Sequence, residues 1–500
     1  MIVNNLGMNS GLSIQTLMDM RDQLTDLQRQ LGTGKKSDSY AGLGLDRGLT
    51  VGLRAQLTAM TGYQQTITDV GVRLDLAHTA LSQIDQITRS AKSSVMQSPF
   101  TLVGGSQTVE QKSALLQFEQ ILNVLNTNTG ERYLFSGQSV DQPAVETADR
   151  IMNGDGTRAG LKQIIGERLQ ADLGASGLGR VVVSAPNATS AALTEDAVSP
   201  FGFKLSGLVS GLTGSTPAGP TGAPAAASVD LGATNPNAGE TLTLVVRLPD
   251  GTEETLKFEA TVSATPTASQ FSIGATPGDT AINLQAAIAT AVQDSARTSL
   301  AAASALAATD NFFDASGATM PLRVAGPPFN TATALASGTA ADTVSWYRGE
   351  TGTDPARGTA TARVDSAVTV SYGMRADEAA FRDLMKNLAV TAVVDLPAGD
   401  PSSNARFAAL RDRMVPAFGG AGATQTIGDV QSELTGAQMA SVTAKNRHIQ
   451  TDNTLKGLLD EIEGVSPQEV AVQILALQTR LQASLQTTSM LYQLNLTNFL

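Results

Sequence analysis

Residues that could carry catalysis or bind a metal ion are few in this chain of 500 residues. It contains no cysteine and only two histidines, His78 and His448. Thiolate zinc sites, iron–sulfur ligation, disulfides and cysteine nucleophiles are therefore excluded, and so is a metal site built from several histidines of one chain. Each histidine is interpreted as a polar position on a helix face rather than as a catalytic base.

Two short glycine-rich segments partly resemble ligand-binding loops. GTGKKS (32–37) has the Gly-Lys pair of a phosphate-binding loop, but Arg29 stands where that loop requires glycine. NGDGT (153–157) begins like a calcium loop but lacks the later glutamate that binds calcium through both oxygens. We predict a connector between helices for the first and a tight turn for the second. The motifs G-x-S-x-G and H-E-x-x-H are absent, and we expect no enzyme activity, no cofactor and no metal site.

The charge balance is acidic. Lysine and arginine number 34 against 46 aspartates and glutamates, which gives a net charge of −12 and a pI of about 4.8. This balance argues against binding to nucleic acid or to an anionic membrane surface. No segment approaches the ~20 apolar residues that span a bilayer. The start, MIVNNLGMNSG, has neither a basic nor an apolar signal region, so we expect no cleaved signal peptide; taken alone this suggests a cytoplasmic protein, and export without cleavage stays open.

Proline divides the sequence into three parts. Only Pro99 precedes Pro143 and only Pro467 follows Pro416, so 17 of the 19 prolines lie in the middle. Because proline breaks helix interiors, long helices are expected at the two ends and not in the middle. We predict an N-terminal helical arm (1–140), an inserted variable α+β outer domain (141–420) and a C-terminal helical arm (421–500).

Both ends carry apolar residues at helical spacing. The N-terminal pattern predicts a helix from Ile14, a break at 32–44 and a second helix from about Asp46, whose apolar positions alternate steps of four and three as in a coiled coil. A third run covers 109–128. Near the C-terminus, Ser466-Pro467 predicts the start of the last helix, because serine caps helices and proline fits the first turn.

The apolar residues at the two extreme ends exceed what the core of one chain requires. We therefore predict that the arms pack between subunits. The residues assigned to this packing are Ile14, Leu17, Leu24, Leu27, Leu31, Val70, Leu74, Leu81, Ile84, Val470, Ile474, Leu477, Leu481, Leu485, Leu494, Phe499 and Leu500.

The middle of the chain has a different pattern. Alternating residues around Pro249-Asp250-Gly251 predict a β-hairpin over 240–260. We also predict strands at 271–274, 342–349 and 366–373, and helices at 279–294 and 375–393. The predicted fold is therefore mainly α: a long coiled-coil-like bundle formed by the N- and C-terminal arms, with an inserted, strand-rich α+β surface domain.

Several segments of the arms are similar to one known family. Gln28, Leu31, Gly32, Thr33, Gly34 and Lys35 fill the pattern Q-x-x-[IL]-[SG]-[TS]-G-x-[KR] that links its first two helices. GERYLFSGQSVDQPAV (130–145), the segment Tyr372–Phe381 and the final stretch 470–500 also match. On these residues the chain resembles the bacterial flagellin family, over roughly the first 145 and last 125 residues. The segments 130–145, 372–381 and 470–500 lean toward its hook–filament junction type.

The resemblance implies a structural role. Such proteins are exported through a type III route, unfolded and without signal cleavage, and act outside the cell in the flagellum. Their terminal helices line a tubular axial structure while the variable domain faces outward. The implied partners are further copies of the chain, other hook and filament components, and an export chaperone.

Alternatives remain at this point. Within the family, the chain could be a junction protein or a filament subunit. Outside it, the chain could be a secreted non-flagellar coiled-coil adhesin, or a flagellin-like chain whose middle domain is an enzyme.

Overall fold

The computed structural model describes residues 3–97, 100–103, 107–315 and 319–497, with side chains described between residues 14 and 490 except for Gln97 and those gaps. Its helices in chain order are α1 (Val3–Thr33), α2 (Arg47–Gln97), α3 (Val109–Leu125), α4 (Ala148–Asn153), α5 (Leu161–Leu173), α6 (Pro277–Ser295), α7 (Ala301–Asp314), α8 (Ala379–Val393), α9 (Ser403–Phe418), α10 (Ile427–Glu463) and α11 (Pro467–Thr497).

In the described residues, sixteen short strands lie between these helices. They are β1 (Leu102–Val103), β2 (Gln107–Thr108), β3 (Asn128–Thr129), β4 (Arg132–Tyr133), β5 (Val181–Ser184), β6 (Ser190–Glu195), β7 (Lys204–Ser210), β8 (Thr216–Thr221), β9 (Ala226–Asp230), β10 (Thr241–Arg247), β11 (Glu253–Thr261), β12 (Gln270–Ser272), β13 (Leu322–Val324), β14 (Leu335–Ser337), β15 (Thr361–Arg363) and β16 (Thr369–Ser371). Long terminal helices around a strand-rich middle confirm the predicted fold class.

The chain forms two compact units. The arm unit comprises Met1–Gly71, Ala362–Val370 and Met439–Leu500, and the body unit comprises Val72–Thr361 and Ser371–Gln438. The two units are defined by contacts within the structure, whereas the predicted boundaries near 140 and 420 come from changes in sequence composition. The division into two arms and an outer domain therefore stays a prediction.

In the arm unit, α1 packs along α11. The start of α11 follows the predicted rule, since the Ser466 hydroxyl accepts the backbone N–H of Glu469 and Pro467 occupies the first turn. One face of α11, with Val470, Ile474 and Leu477, is buried. Among the described residues, no helix is both long enough and apolar enough to cross a membrane.

The body unit is built on the second half of α2, on α3 and α8, and on two four-stranded sheets. The sheets have the strand orders β12-β11-β10-β7 and β5-β6-β9-β8. The predicted hairpin is β10–β11, with Leu242 opposite Phe258 and Leu244 opposite Leu256, and these two pairs alternate with solvent-facing residues as expected. The edge strand β8 contains Pro217 and Pro220.

The predictions for the rest of the body unit had mixed outcomes. The predicted helices appear as α6 and α8, and the strands at 271–274 and 366–373 shorten to β12 and β16. The strand predicted at 342–349 is wrong. Its backbone makes only isolated bridges, from Thr343 to Ala159 and from Tyr347 to Val145. Trp346 and Tyr347 are both buried, although neighbouring residues of a strand point to opposite faces.

Candidate functional site

The break between α1 and α2 lies against the break between α10 and α11. The N–H of Lys36 donates to the carbonyl of Glu463 at 2.7 Å, and the N–H of Val465 donates to the carbonyl of Gly34 at 3.1 Å. Lys35 and Gly464 form an antiparallel bridge between these two bonds. The segment GTGKKS thus ends α1 and enters the connector to α2, where it pairs with the turn between α10 and α11.

A salt bridge reinforces this paired break. Arg54 on α2 donates from Nε to Oε1 of Glu463 at 3.0 Å and from Nη2 to Oε2 at 2.6 Å. The Glu463 side chain is 9 % exposed. Its hydrogen bonds raise the pKa of the Arg54 guanidinium above its ordinary value. Sequence analysis missed this pair, because 409 positions separate the two residues and no local pattern links them.

Helix α11 is apolar on two sides. Val470, Ile474 and Leu477 are buried within the arm unit. Val472 and Leu475 are 65 % and 64 % exposed, and at ~100° of rotation per residue they lie on the opposite side of the helix. The helix carries only two charged residues, Glu469 and Arg480. The outer apolar face was missed in the sequence, although its spacing of three residues is visible there.

Helix α10 repeats this arrangement. Ala444, His448 and Leu455 lie on its buried side. Met439, Val442 and Ile449 are exposed on another side, spaced by three and seven residues. Most of the exposed large apolar side chains among residues 14–490 lie in the arm unit, which is the smaller of the two units. An apolar surface of this kind marks an interaction site.

The predicted subunit-packing residues fall into three groups. The exposed group is Ile14, Leu31 and Leu485. The half-buried group is Leu17, Leu24, Leu27 and Leu481. The group buried within this chain is Val70, Leu74, Leu81, Ile84, Val470, Ile474 and Leu477. The side chains of Leu494, Phe499 and Leu500 lie outside the described part of the chain.

The exposed face of α2 in the arm unit is lined by small residues. They follow one another at steps of four and three: Gly48, Gly52, Ala55, Ala59 and Gly62. Apart from the nearby backbone of α2 itself, no described atom lies within 4 Å of a Cβ placed on any of the three glycines. A helix surface this smooth lets another helix come close to the backbone.

His448 lies on a buried face of α10, where the sequence predicted only a polar helix position. Its ring stacks near Tyr63 with the ring centres 5.7 Å apart, and its Nε2 lies 3.3 Å from Oδ2 of Asp365. Asp365 belongs to residues Ala362–Val370, which we call the finger. Burial would raise the pKa of Asp365, but hydrogen bonds from Arg447, Ser366 and His448 outweigh it and hold that pKa at about 2. His78 is half-buried on α2.

The body unit brings together two of the segments that resemble the flagellin family. The N–H of Ala376 donates to the carbonyl of Phe135 at 2.8 Å, and the N–H of Gly137 donates to the carbonyl of Met374 at 3.1 Å. The rings of Phe135 and Phe381 meet edge to face at 5.5 Å. Segments 130–145 and 372–381 therefore form one packed structure although they lie far apart in the sequence.

NGDGT forms a tight turn, as predicted. The Oδ1 atom of Asp155 accepts the N–H groups of Thr157 and Arg158 at 3.2 and 2.8 Å, and Gly154 and Gly156 take positive φ angles that favour glycine. The side chain of Arg158 pairs with the same carboxylate and holds the pKa of Asp155 well below its ordinary value. The Asp155 carboxylate therefore stabilises the turn through contacts within the turn.

The chain thus combines long terminal helices, two of which have apolar faces on two sides, with a strand-rich middle. Residues 3–140 match the family model described as the bacterial flagellin N-terminal helical region. The match supports membership of the bacterial flagellin family and agrees with the resemblance drawn from the sequence. No curated protein sequence matches the chain.

Proposed function

We propose that the chain is an axial subunit of the bacterial flagellum that self-assembles through its terminal helices and supports motility. The observation that carries the proposal is the outer apolar face of α11, with Val472 and Leu475, beside that of α10, with Met439, Val442 and Ile449. Each helix already buries its other side within the chain. The outer faces therefore need a neighbouring molecule.

Burial of the outer apolar faces supplies a driving force for assembly. Burying one Val, Leu or Met side chain contributes about 1.5–3 kcal/mol. Assembly also orders long side chains and restricts the motion of the subunit, so several apolar contacts must form at once. Because the outer faces of α10 and α11 differ from the small-residue face of α2, contact between copies is head to tail and extends into a helical array.

The small-residue face of α2 supports close packing in such an array. A neighbouring helix that reaches Gly52 or Ala59 meets backbone rather than long side chains. Larger side chains on that neighbour, such as those at Met439 and Val442, could then pack against the α2 backbone. This arrangement leaves the fold of one copy unchanged and acts only between copies.

The direct test is polymerisation of the purified full chain, followed by electron microscopy and sedimentation over a range of concentrations. The double substitution Val472→Glu with Leu475→Glu should leave a folded monomer at concentrations where the native chain assembles. The matched control, Gln473→Glu with Gln478→Glu, adds the same charge to α11 at polar positions and should assemble normally. Normal assembly of the first variant would refute the proposal, as would normal assembly of a chain lacking residues 470–500.

We also propose the hook–filament junction type over the filament type. The segments that favour it, 130–145 and 372–381, pack against each other through Phe135 and Phe381. Immunogold labelling would distinguish the two, since a junction protein marks a single point at the hook tip and a filament subunit marks the whole filament. Labelling along the filament would overturn the junction assignment and leave the axial role intact.

The proposed axial role also implies a location and partners for the chain. We infer export to the cell exterior without cleavage of a signal peptide, help from an export chaperone, and contact with hook and filament components as well as with further copies. A deletion strain should lose motility. A deletion strain that swims normally would favour a secreted adhesin instead.

A further inference from the structure

Arg73 on α2 is half-buried, yet its charge has no carboxylate partner among the described residues. Its Nη1 donates to the hydroxyl of Tyr372 at 2.9 Å, and a phenol hydroxyl accepts this bond without neutralising the guanidinium. Every other buried or half-buried arginine in the described part of the chain forms a salt bridge with a carboxylate, as Arg168 does with Asp172. Arg73 is therefore an exception that calls for an anion.

A second arginine without a described carboxylate partner, Arg132, lies near Arg73 in the body unit. It is exposed on β4, directly opposite Thr129 on β3. The turn between the two strands, Gly130-Glu131, takes positive φ angles of 55° and 67°, as in a two-residue hairpin turn. Residues that face each other across such a hairpin project from the same side. The hairpin therefore places the Arg132 and Thr129 side chains on one face.

Arg73, Arg132 and Thr129 line one small cavity at the surface of the body unit, together with Tyr372. The cavity volume is about 40 Å³, and because a water molecule needs ~10–15 Å³, a group of about three or four heavy atoms fits. Most of the remaining wall is apolar and includes Leu74, Ala77, Leu134, Val140 and Met374. Apolar walls strengthen the attraction between a cation and an anion, since they lower the local dielectric constant.

The hydroxyl of Thr129 is a hydrogen-bonding group that the chain leaves unused in this cavity. Its oxygen is buried and has no hydrogen-bond partner among the described residues. Such atoms are uncommon in folded proteins, because a buried polar atom without a partner costs free energy. The nearby carboxylate of Glu350 does not fill the cavity, since its Oε2 accepts the N–H of Gln138 at 2.8 Å. The unused hydroxyl therefore points to a ligand.

We propose that this cavity binds the carboxylate group of a small organic acid. The carbon and two oxygens of a carboxylate match the volume, and the two guanidinium groups supply the opposite charge. The Thr129 hydroxyl donates to a carboxylate oxygen. Inorganic phosphate is larger and carries more charge, which the apolar walls disfavour. The inference concerns the single chain and does not depend on the proposed axial role.

Modification of arginine by phenylglyoxal tests the cavity, with acetate as the probe and mass spectrometry of peptides from the full, dilute chain as the readout. Acetate should slow the modification of Arg73 and Arg132 along one saturation curve, whereas sodium chloride of the same ionic strength should not. Arg247, which is exposed on β10, is the internal control and should react at a constant rate. Equal effects of acetate and chloride, or equal protection of Arg247, would overturn the proposal.

Variants assign the protection to the named side chains. Arg132→Met should abolish the protection of Arg73 by acetate, and Arg73→Met should abolish that of Arg132. Thr129→Val keeps the shape of the side chain and should weaken acetate binding about tenfold, the effect of losing one charge-assisted hydrogen bond. Arg247→Met is the matched control and should leave the protection unchanged. Because Arg132 is exposed, Arg132→Met remains decisive even if Arg73→Met unfolds the chain, and undiminished protection in Arg132→Met or Thr129→Val would refute the site.

Two further measurements separate a small carboxylate from other anions. Inorganic phosphate should protect the two arginines only at higher concentration than acetate, and protection at lower concentration would overturn the carboxylate assignment. Raising the concentration of the chain without acetate should leave both rates unchanged. Slower modification under that condition would assign the carboxylate to another copy and overturn the small ligand. Failure of the chain to assemble, which tests the proposed axial role, changes none of the results in dilute samples.

Discussion

Asp365 in the finger accepts a hydrogen bond from the guanidinium of Arg447 on α10, although 82 positions separate the two residues. The finger comes from the strand-rich middle of the sequence but belongs to the arm unit. Val364 and Val370 on either side of Asp365 are buried. The arm unit is therefore completed by a segment that the sequence pattern would assign to the outer domain.

Acid should weaken the attachment of the finger. Hydrogen bonds to the carboxylate hold the pKa of Asp365 at about 2, below its usual value of 3.8. A lowered pKa means that the stabilising contribution is complete above about pH 4 and is lost as the pH falls toward 2. Thermal unfolding at pH 6 should show a lower Tm for Asp365→Asn than for the native chain. That difference should shrink as the pH falls through 2, and a constant difference across this range would contradict the assignment.

A charge placed in the buried seam of α2 should damage the body unit. Leu81 is 0 % exposed, so Leu81→Asp buries an unpaired carboxylate and should lower the free energy of unfolding by about 3 kcal/mol or more. Leu74→Asp and Ile84→Asp should behave in the same way. Val72→Asp is the control, since Val72 lies on the same helix with 51 % of its surface exposed. Urea denaturation measures all four, and equal losses for Leu81→Asp and Val72→Asp would show that the seam is not a core.

Large side chains on the small-residue face of α2 should block assembly without unfolding the chain. Ala59→Phe fills the space that a neighbouring helix would occupy, and the site is open in the single chain. Thr61→Phe adds the same ring to an exposed position on another side of α2. We expect sedimentation to show monomers for the first variant and assemblies for the second, with equal melting temperatures. Assembly of both would show that this face of α2 is not used between copies.

The buried carboxylate of Asp172 should stabilise the body unit through its two partners. It accepts Nε of Arg168 and the N–H of Gly202, both at 2.8 Å, and its side chain is fully buried. Asp172→Ala leaves both donors without this acceptor and should cost about 3–5 kcal/mol. Asp172→Asn retains an oxygen for Gly202 and should cost less. Chemical denaturation ranks the two variants, and an equal loss for both would assign the whole effect to the charge.

Local patterns in the sequence predicted much of this fold. The hairpin β10–β11 followed from alternation around Pro249-Asp250-Gly251, and the seam through Leu74 and Leu81 followed from steps of four and three. Both signals lie within a short window, where backbone geometry alone fixes which residues share a face. The strand predicted at 342–349 failed because its alternation reflects separate contacts with Ala159 and Val145 rather than a ladder.

The candidate site was harder to predict. The heptad rule found the residues of α11 that are buried against the chain itself, such as Ile474, and passed over the outward-facing Val472 and Leu475. A single sequence does not show which of two apolar faces is buried within the chain and which stays exposed. The pairing of Arg54 with Glu463 and the burial of His448 by the finger depend on contacts between distant segments, which leave no local pattern.

The prolines of β8 have a consequence for a protein held at high local concentration. Pro217 and Pro220 lie in an edge strand, and neither has a backbone N–H to donate to another strand. Backbone pairing between molecules along this sheet edge is therefore disfavoured. Copies held close together are therefore less prone to amyloid-like pairing through β8.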